Sequence, residues 1–572
     1  MNIIECVERN ARLLSDKIAY TEVNKAGKLG KISYLEFQRQ VNKIAAYMEE
    51  YQMSDDKAIV MLPSSIDYIT SFFGVIKAGI VAVPAYPITS SHHRERLESI
   101  LRDSQASFII TDGRTKEKLE TYFIDLIEEI IIIDVRVFQE LSQVEHESRP
   151  IDMEDIAYLQ YTSGSTSDAK GVIITHRNIM ANEWAIQRAM SLTEDEKIVT
   201  WLPFYHDMGL IGNIILTVYL GASCYIINPI DFIQSPFLWL QTVSLVRGTL
   251  VTAPNFAFQM CVDEISDQEL EELSLASLKN AVNGAEPVRL STIEGFISRF
   301  ASCGFVKSSM KPSFGLAENT LLATTYLTGE EYRYQILNQE KLSEGIVEST
   351  REGVRIVASG HTIEGVDIAI ANPEKLEIFK EREIGEILIS SDSATRGYWN
   401  NQELNRRIFQ VDMEGQRYFR TGDLGYLDDN HLYIVGRIKD LIIIRGKNYY
   451  PQDIELCIEN SCERMKRDSS AAFSIMMEDE EKLVVVGEVD KDLRDKKNDD
   501  NKAGMKKKKE RRIIIERIYQ DVIENYSIEP YDIVLIQEKS IPKTSSGKIQ
   551  RQLCKREYIY GNLKIWERMR DE

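Results

Sequence analysis

From Tyr34 onward the chain switches repeatedly between two apolar periods. Tyr34–Tyr47 (YLEFQRQVNKIAAY) places apolar residues three and four apart, the spacing of one helix face. Lys57–Leu62 is short and nearly all apolar, as a strand covered on both faces reads. The switch then recurs. Tyr68–Lys77 predicts a helix, Ile80–Pro84 a strand, Glu95–Asp103 a helix and Ser107–Thr111 a strand. Short apolar runs at Ile156–Leu159 and Val172–Ile174 predict two more strands, and His176–Met190 a helix. Further strands are predicted at Ile198–Leu202, Ala222–Ile227, Thr249–Ala253 and Leu278–Val282. Strands alternating with helices imply parallel βαβ units, and hence an α/β fold of layered sheets.

The pattern breaks over 328–353, which is charged and weakly periodic, and a β-rich part resumes at Val366–Ile370, Gly385–Ser390 and His431–Val435. Gly436–Asp440 (GRIKD) then precedes a new apolar strand, Leu441–Ile444. The boundary falls here: a large N-terminal domain over 1–437 with a β-rich subdomain, and a small mobile α+β domain over 438–572. Residues 490–512 form a dense charge run. It contains no aromatic residue and acids adjoin its lysines, so it reads as a solvated loop leading into a helix.

Composition narrows the function. A chain of 572 residues exceeds one hydrophobic core. A net charge of -20 argues against nucleic acid as a partner, because binding phosphodiester backbones requires a basic surface. Seven scattered cysteines without a CxxC pair suit a reducing cytoplasm. The N-terminus lacks the basic-then-apolar order of a signal peptide. The most apolar stretch, Phe72–Tyr86, is interrupted by Lys77 and Pro84 and is too short to span a membrane, so any lipid is expected as substrate.

The loop Tyr161–Gly171 (YTSGSTSDAKG) joins two strand candidates. Its glycines permit close backbone approach, its hydroxyls and N–H groups can surround an anion, and Lys170 adds a point charge. A flexible Ser/Gly linker is the alternative; a Walker A loop is not, since GxxxxGK[ST] is absent. Two more Gly-bearing turns, Asn283–Pro287 and Pro312–Glu318, also follow strand candidates. Ligands of open α/β sheets sit at the carboxyl ends of strands, where these three turns would converge.

Seven segments occur in one order: YTSGSTSDAKG, NGAEPV, FGLAE, GEILIS with RGYW, YFRTGDLGY, GRIKDLIIIRG and PKTSSGK. This ordered set resembles the adenylate-forming superfamily of acyl- and aryl-CoA ligases, luciferases and nonribosomal adenylation domains. SFFGVIKAGIVAVPAYP extends the likeness toward the N-terminus. WLPFYHDMGLIG, LAENTLL, RGKNYYPQDIE and the SGSTS form of the loop are most similar to the fatty acyl-AMP ligase branch. That branch carries an insertion where 328–353 lies, thought to hold the small domain back from the CoA-accepting arrangement.

The resemblance implies an enzyme that uses ATP and Mg²⁺ to convert a medium- or long-chain fatty acid to acyl-AMP. It then passes the acyl group to the phosphopantetheine thiol of an acyl carrier protein. The stretch after Lys548 is too short for a carrier domain, so the carrier is expected in trans. By the same resemblance, Thr162, Ser163, Gly164, Ser165, Thr166 and Lys170 hold the β- and γ-phosphates. Lys548 reaches the α-phosphate and the substrate carboxylate, and Glu318 binds Mg²⁺. Asp423 meets the ribose hydroxyls and Arg437 the nucleotide. The Gly284-Ala285-Glu286 and Phe314-Gly315-Leu316 turns flank adenine, His206 lies near the acyl carboxylate, and Asp440 is the hinge. Three alternatives stand beside this: an acyl-CoA ligase, a silent acyl-adenylate-binding scaffold, and an amino-acid-activating enzyme with Asp207 facing the ammonium.

Overall fold

The structure is a computed structural model and describes residues 1–50, 56–88, 94–142, 150–161, 169–413, 415–444, 447–477, 480–494, 502–544 and 547–570. Two parallel sheets form its centre. The first orders its strands Ile131–Asp134, Phe108–Thr111, Lys57–Met61, Val81–Ala85, Ile156–Tyr161 and Gly171–Thr175, all parallel except the last pair. Pro84 lies inside one of these strands. The ladder to Ile156–Tyr161 registers only at Ala82, so the missing N–H of the proline breaks no bond of that pairing.

The second sheet orders Met310–Pro312, Asn280–Asn283, Leu250–Ala253, Lys197–Thr200, Ser223–Ile227, Ile18–Asn24 and Gly27–Ser33. It is parallel except for the terminal hairpin. Its parallel strands therefore present their carboxyl ends on one side. The expected helices lie over the sheets. Tyr34–Glu49 buries Tyr34, Phe37, Val41, Ile44 and Met48 along one stripe, as its periodicity predicts. It packs so close to Ile66–Lys77 that a Cβ on Gly74 would lie 2.5 Å from Ile44 Cγ2. Lys77 is buried there and is paired with Glu8 at 2.8 Å.

A separate nine-stranded antiparallel sheet spans Phe314 to Arg437. Its longest strand, Gln416–Asp428, contains the RTGD segment. The weakly patterned stretch 328–353 is not bare loop. It includes the strand Tyr334–Leu337, paired with Val354–Thr362, and the short helix Gln339–Ser343. Alternation is too brief there to mark either element by periodicity.

The C-terminal segment has its own apolar clusters, one around Ile454, Leu483, Ile518 and Leu535, the other around Phe473, Val484 and Val534. Strands Met465–Met477, Glu480–Val489, Asp532–Gln537 and Ile565–Arg568 form its sheet. The helix Lys502–Tyr526 crosses between the parallel pair. This helix begins inside the charge run, and one basic residue of that run, Arg511, is buried. It donates to Leu493 O at 2.6 Å and pairs with Glu567 at 3.5 Å.

Arg551 holds the segment to the turn at Ile438–Asp440. Both its Nε and its second terminal nitrogen lie 2.6 Å from Glu455 oxygens, and Asp440 is 3.4 Å away. Glu455 is 3 % exposed and Asp440 10 % exposed at the side chain. Removing the cation leaves two buried carboxylates uncompensated, at a cost of about 3–5 kcal/mol. We expect Arg551→Ala to lower the thermal unfolding midpoint of the full chain, and Glu455→Gln in that background to restore part of the loss. An unchanged midpoint would show that the pair contributes nothing.

Candidate active site

A cleft of about 1770 Å³ opens between the carboxyl ends of the second sheet, the antiparallel sheet and the C-terminal segment. Strand polarity explains its position. Adjacent parallel strands end at Thr200, Ala253, Asn283 and Pro312, so the turns that follow them arrive side by side.

Two of these turns touch. A Cβ on Gly284 would lie 2.8 Å from Ser313 O, so only glycine permits the approach. The next residue, Ala285, has φ +65°, and Thr320 after the FGLAE turn has φ +66°. A β-branched residue in that region is strained, and strain of this kind gathers at ligand-binding turns. Thr320 is held there by its hydroxyl, which donates to Ser393 O at 2.7 Å.

Glu318 sits on the short turn Ala317–Asn319 and accepts from the Tyr398 hydroxyl at 2.7 Å. Burial raises its carboxyl above the ordinary range, with Tyr398 acting against it. Lys170 lies 5.6 Å from the centre of the Tyr398 ring, so Lys170 and Glu318 share one aromatic wall. The RGYW segment is stitched to the strand after the loop: Val172 pairs with Tyr398, and Trp399 N donates to Gly171 O at 2.7 Å. Thr162, Ser163, Gly164, Ser165 and Thr166 lie outside the described residues.

Asp423 and Arg437 face each other across two paired strands, with Arg437 Nε 2.9 Å from Asp423 Oδ1. The carboxylate is 8 % exposed and the guanidinium 54 %, so Arg437 keeps donors free for the cleft. Phe314 and Gly315 form a two-residue strand, and Leu316 follows at the cleft wall. A Cβ on Gly315 would lie 2.1 Å from Leu321 O, which makes glycine obligatory.

Lys548 comes from the C-terminal segment. Its loop closes on itself through Lys548 N donating to Thr544 Oγ1 at 3.1 Å and Thr544 N donating to Lys548 O at 2.7 Å. Gly547, at φ +86°, packs against Phe256, where a Cβ would come within 3.3 Å of the ring. Burial and the Arg437 charge hold the Lys548 ammonium below its ordinary range, while Asp207, Glu286 and Asp423 oppose the shift. Burial, then Lys548 and Arg96, push the His206 imidazole down to about 3, so His206 is neutral at physiological pH. Burial raises Asp207 against the attraction of Lys548. Glu286 accepts from Phe256 N at 2.7 Å, and burial with the nearby Asp468 raises it to about 7. Glu286 thereby anchors its turn to the start of the helix Asn255–Glu264. Asp440 lines the cleft and is paired with Arg551 at 3.4 Å.

Sequence reasoning missed several residues. Arg289 follows NGAEPV and reaches across to Glu459 at 3.0 Å and Asp468 at 3.2 Å, fixing the C-terminal segment over the cleft. Arg96, on the helix Arg94–Ser104, brings another positive charge near His206. Tyr398 supplies the hydroxyl on Glu318. Only Tyr398 had a sequence signal, through RGYW. The arginines lie in ordinary helical or turn contexts.

Among the described residues no helix is long and apolar enough to cross a membrane. The model of the family described as AMP-binding enzyme matches residues 7–399, and a second, described as a meiotically up-regulated gene 62 protein-like domain, matches 433–566. The chain is 37% identical to a medium-chain-fatty-acid–[acyl-carrier-protein] ligase, JamA, of Moorena producens, over 99% of this chain and 96% of that protein. It is 31% identical to a 4-hydroxyphenylalkanoate adenylyltransferase of Mycobacterium marinum, over 94% and 87%. A solved structure from work on fatty acyl-adenylate ligases of E. coli and L. pneumophila superposes with TM-score 0.87 at 29% identity, covering 98% of both chains. A fatty acyl-adenylate ligase of L. pneumophila, in complex with acyl adenylate and pyrophosphate, gives TM-score 0.74 at 32% identity, covering 100% of this chain and 98% of that one. With its layered parallel sheets, separate β-rich sheet and C-terminal α+β segment, the chain belongs to the family of AMP-binding, adenylate-forming enzymes.

Proposed function

We propose that this protein is a fatty acid:AMP ligase that loads a medium-chain acyl group onto an acyl carrier protein. One observation carries the reading: a lysine from the C-terminal segment, Lys548, is buried in a single large cleft lined by Asp207, Glu286 and Asp423, whose charges act on its ammonium. The name of the Moorena relative and the acyl-adenylate complex of the Legionella one support the same chemistry.

In the first half-reaction a carboxylate oxygen of the fatty acid attacks the α-phosphorus of ATP, and the bond to pyrophosphate breaks. No protein nucleophile is required; the protein's task is placement and charge neutralisation. Lys548 supplies positive charge where the carboxylate and α-phosphate approach. Neutral His206 donates or accepts a hydrogen bond in the cleft without adding charge. Lys170, with the loop before it, receives the β- and γ-phosphates. Asp423, oriented by Arg437, accepts from the ribose hydroxyls, and the Gly284–Glu286 and Phe314–Leu316 turns flank the base. The family uses ATP; Mg²⁺ is part of the proposal. Among the described residues no three His, Cys, Asp or Glu side chains cluster as a metal cage, so Glu318 would be the protein's contribution and phosphates and water would complete the shell. Bound there, Mg²⁺ neutralises phosphate charge.

In the second half-reaction the carrier's thiolate attacks the acyl carbonyl and AMP leaves. We assign 1–437 and 438–572 as the two domains, with Asp440 in the turn about which the smaller one moves. The inserted stretch supports a carrier over CoA: its helix Gln339–Ser343 packs on Lys447–Tyr449, and Glu340 lies 3.6 Å from Lys447. All seven cysteines are free thiols, which fits a cytoplasmic setting.

Incubation with ATP, Mg²⁺ and decanoate, followed by CoA or a phosphopantetheinylated carrier, tests this. Acyl-AMP should persist with CoA and be discharged by the carrier. Rapid acyl-CoA formation would make the protein a CoA ligase, and no ATP turnover a binding scaffold. The lowered Lys548 also sets the pH behaviour. Its charged form is the active one, so kcat/KM for ATP should fall as pH rises through a midpoint below the ordinary 10.5. Lys548→Arg should move that limb upward, and Lys548→Ala should slow acyl-AMP formation roughly a hundred- to a thousand-fold. A Lys548→Ala variant with near-normal turnover would remove Lys548 from the mechanism.

A further inference from the structure

Among the described residues the Lys548 side chain makes no hydrogen bond or ion pair; Arg437, Asp207, Glu286 and Asp423 act on it through their charges alone. An ammonium without a direct partner is placed by the backbone that carries it. The residue before it, Gly547, lies against a side chain of another part of the chain. The three atoms nearest to a Cβ built on Gly547 all belong to the Phe256 ring, at 3.3, 3.7 and 3.8 Å. With φ at +86° and the ring beside it, position 547 accepts no larger residue without strain. The contact is therefore backbone against ring, one residue from the lysine.

Phe256 is itself held from several sides. It stands in the first turn of the helix Asn255–Glu264, just after the strand Leu250–Ala253 of the second sheet. Its N–H donates to Glu286 at 2.7 Å. The neighbouring Asn255 side chain accepts from Arg289 N at 3.1 Å and donates to Thr292 Oγ1 at 3.2 Å. The Phe256 ring meets Trp201 at 5.9 Å and 70°, an edge-to-face contact. Trp201 is buried and stacks on Phe232 with 3.9 Å between ring centroids. The ring is thus fixed by the sheet, the NGAEPV turn and an aromatic stack. The ion pairs at Arg289 act through long, flexible side chains, which leave the approach of the C-terminal segment some latitude. The Phe256 ring removes that latitude next to Lys548.

We propose that Phe256 is a positioning residue for the first half-reaction: its ring fixes Gly547 and so aims Lys548 at the place where carboxylate and α-phosphate meet. The inference rests on the acyl-adenylation reading above. Lys548 acts when acyl-AMP forms, so the contact matters in that step and not when the carrier's thiolate takes the acyl group.

The test measures two rates on one set of variants: single-turnover formation of decanoyl-AMP, and discharge of separately supplied decanoyl-AMP by a phosphopantetheinylated carrier. Phe256→Ala should slow formation about tenfold to a hundredfold, the range for a group displaced by an ångström or so, and leave discharge unchanged. Phe256→Tyr, which keeps the ring, should form acyl-AMP at nearly the wild-type rate. Phe256→Leu should fall between them, and it gives the same comparison if the alanine variant does not fold. In a Lys548→Ala background, Phe256→Ala should cost nothing further, because no lysine is left to aim; a merely structural or substrate-binding role would add its own loss. A further loss in that background, equal losses in both rates, or a tyrosine variant as slow as the alanine one would each overturn the proposal while leaving the adenylation reading intact. A wild type that forms no decanoyl-AMP would sink both.

Discussion

Arg289 places one positive charge between two carboxylates of another part of the chain, Glu459 at 3.0 Å and Asp468 at 3.2 Å. Glu459 is 1 % exposed at its side chain, so this pair is largely shielded from water and salt. Its burial raises Glu459, and Arg289 opposes that rise. Lys548 belongs to the same C-terminal segment, and inside the cleft burial and Arg437 disfavour its charge while Asp207, Glu286 and Asp423 only oppose that shift. The seam ions and the packing of Gly547 on Phe256 offset that cost. The cleft is thus lined both by residues before 437 and by residues of the C-terminal segment.

Within the cleft the charges constrain one another. Lys548 is drawn by Asp207, Glu286 and Asp423 while Arg437 repels it, and Arg437 is itself held by Asp423. Such an arrangement is charge-rich before substrate arrives and is poised to accept a polyanion with little rearrangement, which is what preorganised stabilisation requires. Apolar side chains such as Met208, Leu216 and Ile186 also line the cleft, and an alkyl chain taken out of water gains about 0.8 kcal/mol per buried methylene.

Much of this was legible in the sequence. The βαβ alternation predicted the two parallel sheets because strands covered on both faces are nearly all apolar, and Lys57–Met61 is buried throughout. The ordered motifs located Lys170, Glu318, Asp423, Arg437 and Lys548, and the fold brings these to one cleft. Local period did not reveal the strand Tyr334–Leu337, whose burial is partial and whose partner lies beyond a helix and a turn. Nor did it reveal Arg289 or Arg96, since an arginine's partner across a seam leaves no trace near it in the chain. Arg511 was hidden for the same reason: inside a run of lysines, nothing local distinguishes it as a basic residue that is buried.

The central claim is that the ion pairs at Arg289 keep the C-terminal body closed over the cleft. It is tested most directly by a distance measurement in the unliganded protein. Spin labels at Leu245→Cys and Met505→Cys, both exposed positions on opposite bodies, report the separation once Cys457 and Cys462 are replaced by serine. Double electron–electron resonance should give one narrow dominant distance with Arg289 present, and a second, broader population in Arg289→Ala. An Arg289→Ala distribution that superposes on the parent would contradict the account.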